Sequence, residues 1–155
     1  MKTTLLSTII LSISEIQIHY KRPLYDSMKY ITNADDADKI LKEFTGKNRI
    51  DFKEFFWVIL LNRANRVLGI SEIAIGSSSG VSVNIREICQ LALLTASTQL
   101  IVAHNHPSGK LTPSKADKNI TAKIKKALAL LDITLLDHIV ITSEDFLSFA
   151  NESLL

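Results

Sequence analysis

His104 and His106 stand two residues apart within Val102–Asp117, the stretch VAHNHPSGKLTPSKAD. In an extended strand, residues so spaced project from the same face, so the two imidazoles point together. Pro107-Ser108-Gly109 breaks the strand just after them and leaves the pair at a strand end beside a loop. Thr112-Pro113 then reads as the start of a helix, a capping hydroxyl followed by proline at the first helical position. Ser114 and Asp117 fall in the first turn of that helix, roughly on one side of it. Two imidazoles and one carboxylate make a borderline-soft donor set. It suits Zn²⁺ with a fourth position left for water, the arrangement of catalytic zinc.

Each part has a plainer reading. Paired histidines at a strand end can be ordinary satisfied polar residues. Ser114-x-x-Asp117 also has the form of a capping box, in which the acid serves the helix. His104-Asn105-His106 spells the name of the HNH nucleases, but their named residues are spread along a ββα unit and are not contiguous. The combination is far more specific than its parts: two histidines, seven residues, a serine, two more, and an aspartate.

The pattern H-x-H-x7-S-x-x-D, met by His104, His106, Ser114 and Asp117, resembles the JAMM signature of the JAB/MPN metallohydrolases. Within that superfamily HNHPSG…PS…D, followed by LLDHIVIT at Leu135–Thr142, is similar to the RadC family. The likeness continues upstream through EFFWVILLNRANRVLG (Glu54–Gly69), a glycine-containing turn at Gly76–Gly80 and the IREI segment Ile85–Ile88. It covers residues 32–150. It implies one zinc ion held by His104, His106 and Asp117. It implies a glutamate just before the first core strand, the place of Glu54, that takes a water's proton and passes it to the leaving amine. Ser114 matches the motif serine, whose hydroxyl helps hold the oxyanion. Glu72 is the rival base, in a poorer position inside a strand, and Glu54 can also be read as a polar residue at a strand start.

The elements that must position these groups follow from periodicity. Residues 1–31 read as an N-terminal arm with an edge strand that half-buries Ile13, Ile16 and Ile18, and residues 32–155 as the domain proper. Asn33 caps a helix over Ala34–Phe44 whose buried stripe is Ala37, Ile40, Leu41 and Phe44, closed by Gly46. Phe55–Leu61 is a continuous apolar run, expected of a central strand covered on both faces. Arg66–Ile75 returns as a second strand, and Gly76–Gly80 is either a plain connection or a rim loop near the substrate. Asn84 with Glu87 opens a helix over Ile85–Ser97, with Cys89 as a small core residue. Leu100–Ala103 delivers the histidine pair. Pro113–Leu131 is an amphipathic helix with its lysines solvated, Leu135–Thr142 a strand, and Ser143 the cap of a short terminal helix through Phe149. This order predicts an α/β domain, three-layered and α+β-like, with a mixed sheet against helices. The family's JAB/MPN fold, cytidine-deaminase-like with a curved mixed sheet, agrees. His138 reads first as a buried, hydrogen-bonded strand histidine, and second, with Asp137, as a residue that orients a ligand. Asn105 should point away from the metal and bond its own loop.

With 155 residues, 46% hydrophobic and 22% charged, the chain has the balance of one ordinary globular domain. A net charge of +2 and no basic run are too little to argue nucleic-acid binding from electrostatics. The single Cys89 excludes an internal disulfide and suits a reducing cytoplasm. Lys2 followed by the apolar run Leu5–Ile13 faintly resembles a secretory signal, but the run is too short to span a bilayer and has no small-residue cleavage site. Many RadC proteins carry a helix-hairpin-helix region before the JAB domain, which nothing here matches. The family's traditional link is to DNA repair. The expectation is therefore a stand-alone zinc hydrolase acting on amide bonds of a peptide or protein. The competing readings are a non-catalytic scaffold in DNA repair or mobile-element biology and a metal-dependent nuclease.

Overall fold

A computed structural model describes residues 16–46, 48–76 and 82–155. After a single 3-10 turn at Tyr25–Ser27, the order is α1 (Ala34–Thr45), β1 (Phe55–Leu61), β2 (Val67–Ile75) and α2 (Ile85–Leu94). Then follow β3 (Gln99–Asn105), α3 (Lys115–Ala129), β4 (Thr134–Ile141) and β5 (Phe146–Ser148). The strands form one sheet in the order β2-β1-β3-β4-β5. β1 pairs antiparallel with β2 and β3, β3 runs parallel to β4, and β4 pairs antiparallel with β5. Parallel neighbours need a crossover, and α3 supplies it. The mixed sheet expected from the element order is thus observed.

β1 is buried at every residue, having a strand on each side and helices on both faces. The pleat sorts its side chains. Phe55, Trp57, Ile59 and Leu61 meet Ala37, Ile40 and Leu41 of α1 in one core. Phe56, Val58 and Leu60 meet Ile88 and Ala92 of α2 and Ile124 and Leu128 of α3 in the other, with Cys89 packed at its margin. The layers are α1, sheet, and α2 with α3.

Several local expectations are corrected. α1 is capped by Asn33, whose side chain accepts from the Asp36 amide, and ends at Gly46, but Phe44 is 48% exposed. It lines a shallow hollow with Pro23, Met28 and Ile70 at the β2 rim, while Asp38 and Thr45 are buried in its place. α2 stops at Leu94 rather than Ser97, because the Thr95 hydroxyl bonds back to the Leu91 carbonyl and Ala96 turns to a positive φ of 50°. α3 starts at Lys115 with Ser114 as its cap, leaving Thr112 and Pro113 outside the helix, and Leu131 lies beyond its end. The terminal helix is instead the strand β5. Thr142 closes the turn by exchanging hydrogen bonds with Asp145, and Phe146–Ser148 then pairs back onto Ile139–Ile141. Ile16 and Ile18 are 91% and 70% exposed and belong to no strand. Among the described residues of the arm, the chain pairs only through a bridge between Tyr30 and Arg66. The run at residues 5–13 and the loop at 77–80 lie outside the described residues.

Candidate metal centre

β3 places the histidines. Leu100 and Val102 face the α2–α3 core, and the same alternation turns His104 to that side. His106 lies just beyond the strand, held by its amide to the Ile141 carbonyl at 3.0 Å. The turn then closes from the Gly109 amide to the His106 carbonyl at 3.0 Å, with Gly109 at a φ of 77° that favours glycine. On α3 the buried residues are Asp117, Thr121, Ile124 and Leu128, a single helical stripe. The stripe that seats the helix on the sheet therefore also brings Asp117 and Thr121 to the histidines.

Ligand atoms of Glu54, His104, His106 and Asp117 all lie within 4.8 Å of one another. His104 Nε2 is 3.4 Å from Asp117 Oδ1, and His106 Nε2 is 3.6 Å from Asp117 Oδ2. The two Nε2 atoms are 2.9 Å apart. His106 Nδ1 lies 2.6 Å from the Lys110 carbonyl, which can only accept, so Nδ1 carries the proton and the neutral ring turns its Nε2 lone pair to the cluster. Glu54 precedes β1, which pairs Phe56 with His104, and the Glu54 carbonyl accepts from the Gly76 amide at 2.7 Å. Its carboxylate makes no hydrogen bond among the described residues.

Asp117 serves two structures at once. Its Oδ2 accepts from the Ser114 amide at 2.6 Å while its own amide donates to Ser114 Oγ at 3.1 Å, a complete capping box. The cap reading and the site reading therefore hold for the same carboxylate. Burial alone would raise its pKa, but the imidazoles of His104 and His106 beside it, with the hydrogen bonding at Ser114, hold it far below the usual carboxylate range. The Asp117 carboxylate in turn holds the His106 pKa above the ordinary imidazole value against the opposing effect of burial.

The other candidates fall elsewhere. Glu72 is engaged with Arg49 at 3.0 Å and Trp57 Nε1 at 3.3 Å, outside the cluster. Asn105 does point away from the histidines, but it bonds the segment before β1 and not its own loop. Asp137 accepts from the His138 and Ala150 amides and the Ser148 hydroxyl. His19 is exposed and bonds only Gln17 among the described residues. His138 is fully buried, its pKa pushed well down by burial and then by His104. Its Nε2 lies 2.7 Å from His104 Nδ1 and its Nδ1 2.6 Å from Thr121 Oγ1. Thr121 drew no notice in the sequence. Its one signal is a polar residue four after Asp117 in an otherwise apolar stripe.

Two imidazole nitrogens this close, facing a carboxylate, need a proton or a metal cation among them. The donor set of two nitrogens and carboxylate oxygen fits a borderline divalent ion. Fold and site together define a three-layer α/β domain with a candidate metal centre where a central strand meets the crossover helix. The chain belongs to the RadC-like JAB domain family, which matches residues 31–154. It is 41% identical over 127 residues to a UPF0758 protein of Flavobacterium johnsoniae, covering 82% of this chain and 54% of that one. A UPF0758 protein of Coxiella burnetii is 38% identical over 142 residues, covering 92% of this chain and 62% of the relative. The chain thus matches about half to three-fifths of the length of these relatives. Among the described residues no helix is long and apolar enough to cross a membrane.

Proposed function

We propose that the chain is a zinc-dependent hydrolase of JAMM type that cleaves amide bonds of a peptide or isopeptide substrate. The observation that carries this reading is the convergence of Glu54, His104, His106 and Asp117 within 4.8 Å at one strand end. His104, His106 and Asp117 would hold the ion. When bound, zinc supplies Lewis acidity, acidifying a water and polarising a carbonyl. Glu54, whose carboxylate makes no hydrogen bond among the described residues, would take the water's proton and deliver it to the leaving amine. The oxygen of the exposed Ser114 hydroxyl is used as a cap acceptor, which leaves its proton to donate to the developing oxyanion.

The test is metal content of protein purified without chelators, followed by turnover of a panel of peptide and isopeptide substrates. Glu54→Gln should keep the metal and lose hydrolysis by about two to four orders of magnitude. Normal turnover in that variant would move the base elsewhere. Absence of bound metal after zinc is supplied would end the hydrolase reading.

A further inference from the structure

We propose that Thr121 and His138 form a hydrogen-bonded relay that locks His104 in the tautomer with its proton on Nδ1, so that its Nε2 lone pair faces the cluster. This deepens the metal-centre reading and rests on it for the purpose of the lone pair. The direction of the relay follows from one carbonyl. Thr121 Oγ1 lies 2.6 Å from the Asp117 backbone oxygen, which can only accept, so the single hydroxyl proton is committed there. The threonine oxygen must then accept from His138 Nδ1, also at 2.6 Å. His138 is wholly enclosed, with the rings of Phe56 and Phe149 at 5.6 and 4.6 Å, surroundings that disfavour a second proton on it. Its Nε2 is therefore a lone pair, and it accepts from His104 Nδ1 at 2.7 Å.

What remains on His104 is Nε2, the atom facing Asp117 and His106. Reversing the relay would leave two oxygens 2.6 Å apart with no proton between them. A histidine in the other tautomer would push an N–H into the space a cation must enter. His138 and Thr121 are thus positioning residues, acting only through His104. His106 obtains the same orientation by a different device, the Lys110 carbonyl.

Long-range ¹H–¹⁵N spectra of the metal-free, ¹⁵N-histidine-labelled protein at mildly alkaline pH read the tautomer of each ring directly. In the wild type both His104 and His138 should carry the proton on Nδ1, and an Nε2–H signature at His104 overturns the relay without any variant. Thr121→Val keeps the shape but removes the acceptor. His138 should then shift its proton to Nε2, forcing His104 to Nε2–H, and zinc should bind about ten- to a hundred-fold more weakly. Thr121→Ser should restore both. A Thr121→Val protein that keeps either the wild-type His104 signature or the wild-type zinc affinity overturns the inference. If the wild type binds no zinc, the metal-centre reading fails, while the ring signatures still decide the relay.

Discussion

The Phe55 amide donates a buried hydrogen bond to Asn105 Oδ1 at 2.7 Å, joining the start of β1 to the residue that separates His104 from His106. The same Asn105 amide group donates to the Ile50 and Lys53 carbonyls at 2.6 Å. Because Asn105 faces the opposite side of β3 from the histidines, a single side chain registers the Glu54 segment against them. Asn105→Ala should cost about 2–4 kcal/mol by leaving three backbone groups without their partner, two of them in buried hydrogen bonds, read by urea unfolding. Zinc affinity should change less than turnover does, because the ligands are carried by β3, the turn after it and α3, while Glu54 loses its anchor. Equal loss of both would place the anchoring elsewhere.

His106→Ala should abolish zinc retention and leave a folded domain, since the ring is at the surface end of β3. Asp117→Ala should abolish retention too and also lower stability by about 1 kcal/mol, the usual cost of a lost helix cap. Metal analysis with thermal unfolding of the two chelated variants separates the effects. Zinc surviving either change would refute the ligand assignment.

Proton competition gives a pH test. Asp117 raises the His106 pKa, so zinc must displace a proton already at pH values above the ordinary imidazole range. Zinc affinity should therefore fall as pH drops through that raised pKa. In the metal-free protein the sign is reversed. The raised imidazole contributes stability below its unfolded pKa, and that contribution is lost as pH rises through the folded one. Competition titrations with a chromophoric chelator across this range would show the trend, and a flat profile would exclude His106.

Asp137 is pushed above the usual carboxylate range by burial, despite hydrogen bonds with Ser148, Ala150 and His138 that oppose the shift. Its raised folded pKa favours the native state in acid, and that contribution disappears as pH rises through it. Asp137→Asn can still accept from two amides and donate to Ser148. Its stability relative to the wild type should improve from acidic to neutral pH, measured by denaturant midpoints at each pH. A difference independent of pH would mean that the carboxyl titrates normally.

Spacing made the histidine pair and Asp117 legible, because their geometry is local to one strand, one turn and one helical turn. The continuous apolar run of β1 likewise announced its burial on both faces. What stayed hidden depends on distant partners. Residues 143–149 carry both a capping serine and strand-compatible side chains. The strand prevails where Ser148 reaches Asp137, eleven residues back. Asn105 finds its partners about fifty residues upstream. Thr121 and His138 meet only because β3 and β4 run parallel with Val102 beside His138, a register no periodicity reveals.

The capping box has a consequence for how this site would decay. A relative without the proposed chemistry would still be under pressure to keep Asp117, because the first turn of α3 depends on it. Drift should strike first at Glu54, whose carboxylate holds up nothing else among the described residues. Reading the fate of such a protein from its aspartate would mistake scaffolding for a working enzyme; the glutamate is the honest witness.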